Sequence, residues 1–287
     1  MLVQLGELFK KKFAVRLDHW GLYTKIFHRL VGLLHQAENP YIGGIVRRLA
    51  LINDRKKHFT QGTVVPVHVD LNKEGKQGSK VLPIQLVEKL IREAPHRYIV
   101  HRCLCRDGND CQDFPHDHAC LFLGEGSHVT YENGISRKAT VEEAIAHLHK
   151  GVELGLVCQC LWIEAEQYFW GFPADKMKSF LEVCFCCPCC CLALNSCKKI
   201  PVAFGSRVQS MGWEARVNDQ CVACGQCLDI CPMDAIVLNS EGAEVAGRCI
   251  GCGLCISRCS VQAIELCQTA PLKDDIKDYF WGFRPDV

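Results

Sequence analysis

The stretch that decides the fold of this chain is Cys221-Val-Ala-Cys224-Gly-Gln-Cys227-Leu-Asp-Ile-Cys231-Pro232. Its spacing, C-x2-C-x2-C-x3-C, returns 28 residues later (249 minus 221) in Cys249-Ile-Gly-Cys252-Gly-Leu-Cys255-Ile-Ser-Arg-Cys259. The same offset aligns glycine and apolar residues between the cysteines, pairing Gly225 with Gly253, Leu228 with Ile256, Ala235 with Ala263, Ile236 with Ile264 and Leu238 with Leu266. The repeat predicts two equivalent halves that share one core.

Cysteines with this spacing are typical ligands of iron–sulfur clusters. Three cysteines at two-residue gaps surround one 4Fe–4S cube, and the fourth ligates the cube of the other half. The predicted ligands are Cys221, Cys224, Cys227 and Cys259 for cluster one, and Cys249, Cys252, Cys255 and Cys231 for cluster two. Zinc also takes four thiolates from paired C-x2-C units. The duplicated group of three cysteines plus a fourth favours iron–sulfur clusters over zinc.

Over about residues 215–267 the chain resembles the bacterial-type ferredoxins that carry two 4Fe–4S clusters. The resemblance implies a βαββαβ-like fold and low-potential, one-electron transfer to or from a redox partner protein. The chain departs from these ferredoxins at Ser260, where the second half usually repeats the proline. That position shapes the turn after the last cysteine and is not a ligand, so the predicted cluster sites are unaffected.

Composition limits the classes of protein to which the chain can belong. It has 287 residues, 48% of them hydrophobic, which is enough for a large core. A net charge of +1 disfavours nucleic acid as a partner. The 22 cysteines, with no signal peptide at the N-terminus, indicate reduced or metal-bound thiols. The longest apolar run, residues 183–194, is shorter than the about 20 residues of a membrane-spanning helix. We expect a cytoplasmic protein without a transmembrane segment.

Local patterns predict a mixture of helices and strands before residue 200. A helix with one buried face is predicted from the spacing of Trp20, Tyr23, Phe27, Leu30 and Leu34. Strands are predicted over Val64–Asp70 and Arg97–Val100, with a loop over Asn72–Lys80 between them. A helix is predicted to begin at Pro83 and to end at Ala94-Pro95, with the apolar residues Ile84, Val87, Leu90 and Ile91. A further helix is predicted over 141–150, between a Thr140/Glu143 capping box and Gly151. The basic residues Lys10, Lys11, Lys12 and Arg16 are interpreted as a solvated helix face.

These patterns are interrupted by Pro201, Gly205 and Gly212, which predict a domain boundary between residues 200 and 216. The predicted fold class is α+β. We expect a mixed N-terminal cysteine-rich domain with an additional iron–sulfur site over 1–210, a dicluster ferredoxin domain over 211–270, and a C-terminal aromatic tail over 271–287.

Thirteen further cysteines lie before residue 200, and they occur in groups. Candidate ligands of an additional metal site are Cys103, Cys105, Cys111, Cys120, Cys184, Cys186, Cys187, Cys189, Cys190 and Cys191. Cys158 and Cys160 form another pair, and Cys197 follows the last group. Buried cysteines also serve as small core residues, but that role does not explain the grouping. Soft thiolates favour iron–sulfur chemistry and predict at least one additional cluster.

The type of this cluster stays open. Side chains of adjacent residues diverge, so the three consecutive cysteines at 189–191 indicate either a division between sites or an unusual cluster with bridging thiolates. Arg102 and Arg106 flank the first cysteine pair and would offset the negative charge of a thiolate-ligated cluster, which raises its reduction potential. The alternative is an ordinary pair of surface arginines.

From about Val64 onward the whole chain also resembles a set of largely uncharacterised iron–sulfur proteins of anaerobic organisms. These proteins join an R-C-x-C-R segment and a C-x-C-C-x-C-C-C segment to a terminal ferredoxin, as residues 102–106 and 184–191 do here. The resemblance implies that Cys103, Cys105, Cys111, Cys120 and the cysteines of 184–191 act together. It implies no particular reaction.

Two weaker signals concern aromatic residues and histidines. Tyr168-Phe-Trp-Gly-Phe172 recurs as Tyr279-Phe-Trp-Gly-Phe283, and each copy is followed by an aspartate, Asp175 or Asp286. These copies either shield clusters from water or dock the tail on a partner, a second subunit or a larger complex. The histidines His116, His118, His147 and His149 are interpreted as surface or core residues rather than ligands.

Two functions are compatible with these patterns. In the first, the chain is an electron-transfer protein that connects a partner to the N-terminal cluster. In the second, it is a reductase whose N-terminal cluster is the catalytic centre, supplied with electrons by the ferredoxin domain. The sequence contains no flavin, nicotinamide, P-loop or radical-SAM signature. We favour electron transfer.

Overall fold

The computed structural model describes residues 14–49, 60–67, 82–164, 166–205, 207–280 and 284–287. The α-helices of this part are α1 (Trp20–Leu34), α2 (Gly43–Leu49), α3 (Pro83–Glu93), α4 (Leu104–Gly108), α5 (His128–Glu132), α6 (Val141–Glu153), α7 (Glu166–Trp170), α8 (Leu192–Lys199), α9 (Pro201–Phe204), α10 (Gln226–Ile230) and α11 (Leu254–Arg258). Short 3-10 helices span Leu17–His19, Glu125–Ser127, Ala174–Ser179 and Ile276–Tyr279. None of these helices has the combination of length and apolar character that crossing a bilayer requires.

The strands form one large sheet and two small ones within the described residues. They are β1 (Thr60–Val64), β2 (Arg97–Val100), β3 (Leu121–Leu123), β4 (Ser136–Lys138), β5 (Val157–Ile163), β6 (Leu181–Cys186), β7 (Val208–Ser210), β8 (Trp213–Val217), β9 (Ile236–Asn239), β10 (Gly242–Val245) and β11 (Ile264–Gln268). The large sheet has the order β4-β2-β3-β6-β5-β1-β7 and is antiparallel except where β1 pairs with β7. β9 pairs with β10, and β8 pairs with β11. The mixture confirms the α+β class.

Helix α6 begins where the sequence predicts and ends later. The Thr140 hydroxyl accepts from the Glu143 amide at 3.2 Å, and the Glu143 carboxylate accepts from the Thr140 amide at 2.8 Å, so the capping box is present. The prediction that Gly151 ends the helix is wrong, because α6 continues to Glu153. Gly151 instead lies against the Phe185 ring, where an added Cβ would clash. Its small size allows the helix to approach the sheet.

Other predicted elements are confirmed only in part. Helices α1 and α3 and strand β2 lie where they are predicted, but Leu30 of the expected buried face of α1 is 48% exposed. The strand predicted over Val64–Asp70 is displaced, because β1 ends at Val64 and residues 65–67 are not a strand. Residues 68–70, the predicted loop Asn72–Lys80 and the basic residues Lys10–Lys12 lie outside the described residues.

The large sheet buries a different set of side chains on each face. On β6, Glu182, Cys184 and Cys186 alternate with Val183 and Phe185, and all of them are buried. The face that carries Cys184 and Cys186 packs in one apolar cluster with helix α8 and with residues of the second cysteine repeat. This contact brings the N-terminal cysteines against the C-terminal part of the chain.

The change from the large sheet to the repeat takes place over very few residues. β7 still pairs with β1, whereas β8 pairs with β11 of the repeat. Met211 and Gly212 connect the two strands, and Gly212 adopts a positive φ of 86° while the chain at Ala270 approaches it closely. This connection lies inside the predicted boundary region, and the domain limits themselves stay a prediction.

The described part of the C-terminal tail is packed rather than free. Ile276, Phe280 and Val287 are buried, and the Asp286 amide donates to the Lys178 carbonyl at 2.7 Å. Trp281–Phe283 of the second aromatic copy lie outside the described residues. In the first copy, Trp170 and Phe172 are buried. Assembly through these copies stays a prediction.

Candidate iron–sulfur and thiolate sites

The two cysteine loops of the repeat have the same backbone geometry. We call residues 221–227 loop one and residues 249–255 loop two. Gly225 and Gly253 adopt φ values of 80° and 82° and precede the short helices α10 and α11. These left-handed conformations favour glycine, since a side chain would be strained there. The shared glycines therefore give both loops the turn that directs their cysteines inward.

Each loop encloses a cavity together with one cysteine from the other half. One cavity is lined by Cys249, Cys252 and Cys255 of loop two together with Cys231. The other cavity is lined by Cys221, Cys224 and Cys227 of loop one together with Cys259. The structure thus brings together the eight cysteines in the crossed sets that the sequence predicts.

Backbone amides point at several of these thiols. The Ala235 amide donates to Cys231 Sγ at 3.3 Å, and the equivalent Ala263 amide donates to Cys259 Sγ at 3.1 Å. Ala243 donates to Cys221 and Ala215 to Cys249, both at 3.4 Å. Amide hydrogen bonds to sulfur stabilise negative charge on a thiolate-ligated cluster. The donor chemistry of both cavities therefore fits a 4Fe–4S cube.

Amide donors favour the charged thiolate form, whereas burial disfavours it for Cys252 and Cys255 of loop two. Burial raises the pKa of Cys252 to about 12, and it raises the pKa of Cys255 further. Such thiols stay protonated at neutral pH unless a cation lies beside them, and a coordinated thiol is deprotonated. The buried cysteines of loop two thus suit a metal-bound state.

Comparison with known protein families identifies the same segment. Residues 220–263 match the family model of the 4Fe-4S dicluster domain. Comparisons with curated proteins and with solved structures gave no match. The family assignment therefore rests on the cysteine repeat and concerns the C-terminal part of the chain.

Ten N-terminal cysteines also converge, and they separate into two sets. We call Cys103, Cys105, Cys120, Cys184, Cys186 and Cys191 the inner ring, and Cys111, Cys187, Cys189 and Cys190 the outer group. In the inner ring, Cys184 Sγ lies 3.4 Å from Cys120 Sγ and 3.2 Å from Cys186 Sγ. Cys103 is hydrogen-bonded to Cys105, and Cys186 to Cys191. The charges of Cys191 and Cys103 also act on Cys105 and Cys120, respectively, so the three pairs lie in one region of the protein.

The outer group is the more compact of the two sets. Its four sulfur atoms all lie within 4.8 Å of one another. Cys189 Sγ lies 3.7 Å from Cys111 Sγ and 3.5 Å from Cys190 Sγ. Cys111 and Cys187 are buried, whereas Cys189 is exposed. The outer group therefore reaches the surface of the protein.

The pair Cys158 and Cys160, which the sequence places in a separate group, does not join these cysteines. In the pairing of β5 with β6, Gln159 lies opposite Cys184, and Cys158 lies opposite Phe185. Because strand side chains alternate between faces, Cys158 and Cys160 lie on the other face of the sheet. They are core residues there, and burial raises the pKa of Cys158 to about 12.

The two flanking arginines have different roles, which corrects the expectation that both offset thiolate charge. Arg106 is fully buried, donates to the Phe185 and His118 carbonyls, and interacts with the charges of cysteines in both sets. Arg102 is partly exposed and forms a two-pronged ion pair with Asp107 at 2.6 and 2.7 Å. Hydrogen bonding by Cys105 and the Arg106 charge lower the pKa of Cys103 to about 6.

Asp107 connects the loop that carries Cys111 to helix α1. Its carboxylate accepts from Arg102, from the Trp20 indole at 2.5 Å and from His116. The second ring nitrogen of His116 bonds the Cys111 carbonyl at 2.7 Å. His116 thus positions a cysteine without contributing to a group of metal ligands.

The other three histidines are also structural. The rings of His118 and His147 stack with centroids 4.0 Å apart, and His149 pairs with Glu88 at 2.9 Å. In the described residues, no histidine belongs to a close group of three or more metal-ligand atoms. This agrees with the interpretation of these histidines as core or surface residues.

Sequence reasoning missed Glu182, which lies within 4.8 Å of Cys120 and Cys184. Glu166 is hydrogen-bonded to it, and burial together with the Glu182 charge raises the pKa of Glu166 well above its ordinary value. The sequence does contain a feature that could have indicated Glu182. Glu182 is the one charged residue of the otherwise apolar strand β6, and a buried carboxylate in such a strand requires a polar partner.

Proposed function

We propose that this chain carries electrons between a redox partner protein and a metal centre in its N-terminal part, through two 4Fe–4S clusters in residues 211–270. A bound 4Fe–4S cluster supplies one-electron transfer at low potential. The match of residues 220–263 to the 4Fe-4S dicluster domain supports this proposal.

The observation that carries this proposal is the different exposure of the two equivalent loops. Val222 of loop one is 62% exposed, whereas its counterpart Ile250 in loop two is 3% exposed. Cys224 is exposed, and its counterpart Cys252 is buried. The exposed loop can contact a redox partner protein, and the covered loop can exchange electrons with a centre inside the same chain.

Residues of the N-terminal cysteine region pack in one apolar cluster with loop two. Ile250 and Cys252 belong to the same apolar cluster as Cys186, Cys191 and Cys197. At the same contact, the Lys198 ammonium pairs with the Asp234 carboxylate at 2.5 Å. Short packed distances between redox centres favour intramolecular electron transfer, because no diffusional encounter is needed.

The two loops also differ at the position before their second cysteine. Gly251 adopts a φ of 67°, and a Cβ there would clash with the Trp213 carbonyl. In loop one the same position is Ala223, which is exposed and has a φ of 54°. Trp213 belongs to β8, which pairs with β11, so the glycine of loop two fits the close packing of that loop against its own strands.

We further propose the ligands. Cluster one takes Cys221, Cys224, Cys227 and Cys259, and cluster two takes Cys249, Cys252, Cys255 and Cys231; the two four-cysteine cavities and their amide donors support both sets. The inner ring takes an additional iron–sulfur cluster, supported by six convergent thiols and by the buried charge of Arg106. Electrons would then pass between the cluster held by the cysteines of 1–210 and the two clusters of the dicluster domain in 211–270.

The test uses spin coupling in the reduced full-length protein. Cys252→Ser alters the loop that contacts the inner ring, and Cys224→Ser alters the equivalent exposed position as a matched control. EPR of the reduced wild type should show an N-terminal signal broadened by a neighbouring spin. The broadening should persist in Cys224→Ser and disappear in Cys252→Ser. The reverse pattern, or a wild type with no signal beyond the two cubes, would contradict the proposal.

A further inference from the structure

The outer group is spaced differently from the cysteines of the dicluster domain. All four of its sulfur atoms lie within 4.8 Å of one another. Among the described residues, the eight cysteines of the repeat contribute to no such group, although two four-cysteine cavities contain them. The cavities of the repeat therefore serve as a reference for the spacing of cysteines around a cube, with which the outer group can be compared.

Four thiolates that bind one metal ion lie closer together than four thiolates that bind one cube. Four thiolates on one tetrahedral ion, with metal–sulfur bonds of about 2.3 Å, lie about 3.8 Å apart. In a cube each thiolate is attached to a different iron and points outward, so the thiolates lie roughly 6 Å apart. The separations of 3.7 Å for Cys111 and Cys189 and 3.5 Å for Cys189 and Cys190, with all four sulfur atoms within 4.8 Å of one another, fit one ion. In the inner ring the short distances from Cys184 Sγ, 3.4 Å to Cys120 and 3.2 Å to Cys186, involve three of the six thiols, and among the described residues no four of its sulfur atoms form such a group.

The consecutive cysteines divide between the two sets in a way that supports a separate ion site. Cys189 and Cys190 both face Cys111. Cys191 turns to the inner ring, where it is hydrogen-bonded to Cys186 and accepts from the Gln159 amide at 3.8 Å. This arrangement resolves how three adjacent cysteines are used: two belong to the outer group and one to the inner ring.

Cys111 is held in a conformation suited to a ligand. The amides of Asp113 and Phe114 donate to its thiol, and His116 bonds its carbonyl at 2.7 Å. Amide donors to sulfur and a fixed backbone are the outer-shell contacts that orient metal ligands. The site joins two segments distant in sequence, the loop after α4 and the turn after β6.

We propose that Cys111, Cys187, Cys189 and Cys190 bind a single tetrahedral metal ion, zinc or iron, separate from the cluster of the inner ring. Both ions accept four thiolates in this geometry. The inference divides the N-terminal centre of the proposed function into two sites, and it rests on that function only for the inner-ring cluster. The outer site itself requires neither that cluster nor electron transfer.

The first experiment compares metal and sulfide contents of the full-length protein purified without oxygen. The double variant Cys189→Ser/Cys190→Ser removes two outer ligands, and Cys267→Ser serves as a control outside both sets. We expect the double variant to lose about one zinc or iron ion per chain and no acid-labile sulfide, and the control to lose neither. Loss of iron and sulfide in equal amounts would indicate a cluster and overturn the proposal, as would no loss at all.

The second experiment needs no variant. X-ray absorption at the zinc edge of the wild type should show four sulfur neighbours at about 2.3 Å. If iron occupies the site, iron should exceed sulfide by about one per chain. A wild type with neither zinc nor excess iron would overturn the proposal. Sulfide of about eight per chain with one extra ion would retain the ion site and reject the inner-ring cluster, so the two failures are distinguishable.

Discussion

The dicluster region and the N-terminal cysteine region arrange the same kind of side chain in different ways. In the domain, two-residue gaps spread three cysteines around each cavity, and a fourth comes from the other half. In the N-terminal region, adjacent cysteines crowd four sulfur atoms within 4.8 Å. The spacing of cysteines along the chain thus determines how closely their sulfur atoms can approach one another.

The largest effect is expected from cysteine variants of the dicluster domain. Cys231→Ser should remove cluster two, with about four irons and four sulfides per chain. Because Cys252 belongs to the same cavity, Cys231→Ser/Cys252→Ser should lose no more than the single variant. Cys231→Ser/Cys224→Ser should lose both cubes. Iron and sulfide analysis after anaerobic reconstitution measures each case.

The reverse pattern of losses in the two double variants would contradict the crossed assignment of Cys231 to cluster two. If Cys231→Ser/Cys224→Ser lost only one cube and Cys231→Ser/Cys252→Ser lost two, Cys231 would serve the cluster nearer to it in sequence. Cys259→Ser is the symmetric control, and it should be additive with Cys252→Ser but not with Cys224→Ser.

A smaller effect is expected from the buried arginine. A unit charge roughly 5 Å from a centre is worth about 3 kcal/mol at an effective dielectric constant of about 20. Since 1.4 kcal/mol corresponds to about 59 mV for one electron, Arg106→Met should lower the potential of the N-terminal centre by on the order of 100 mV. Arg102→Met should leave that potential nearly unchanged, because Arg102 pairs with Asp107.

An EPR-monitored redox titration provides this measurement, with the dicluster potentials as an internal reference. Arg106→Lys retains the charge and controls for lost packing. An equal shift in both arginine variants, or a shift confined to the dicluster signals, would show that Arg106 does not act on the N-terminal site.

The smallest effect is expected on the opposite face of the sheet. Cys158→Ala should change no metal or sulfide content and cost about 1 kcal/mol of stability, because it removes one buried atom. Cys184→Ala, from the strand directly beside it, should lose the inner-ring cluster. Metal analysis and thermal unfolding of both variants measure the contrast. Metal loss from Cys158→Ala would place that cysteine among the ligands.

The features that the sequence predicts correctly are those encoded over a few residues. Examples are the cysteine repeat, the Thr140 capping box and the helix that begins at Pro83. The errors depend on which faces meet in the folded chain. The Phe185 ring explains why Gly151 lies inside a helix, and the register of Gln159 opposite Cys184, which places Cys158 on the other face, was likewise not predictable from the sequence. Contacts of this kind join residues far apart in sequence and leave no periodic pattern.

The roles of Arg102 and Arg106 show the same limit. The two arginines flank one cysteine pair, yet one is buried among thiols and the other pairs with Asp107 at the surface. Arg106 lies in the short helix α4 and Arg102 precedes it, and their different surroundings could not be predicted before the neighbours of that helix were known.

The central claim is that the N-terminal cysteines hold metal in addition to the dicluster domain. The most direct measurement is the iron and acid-labile sulfide content of the anaerobically purified full-length chain. We predict sulfide clearly above about eight per chain, because the proposed inner-ring cluster would add to the sulfide of the two cubes. Iron and sulfide both at about eight, with no zinc, would contradict it and leave a dicluster ferredoxin domain joined to a metal-free N-terminal region.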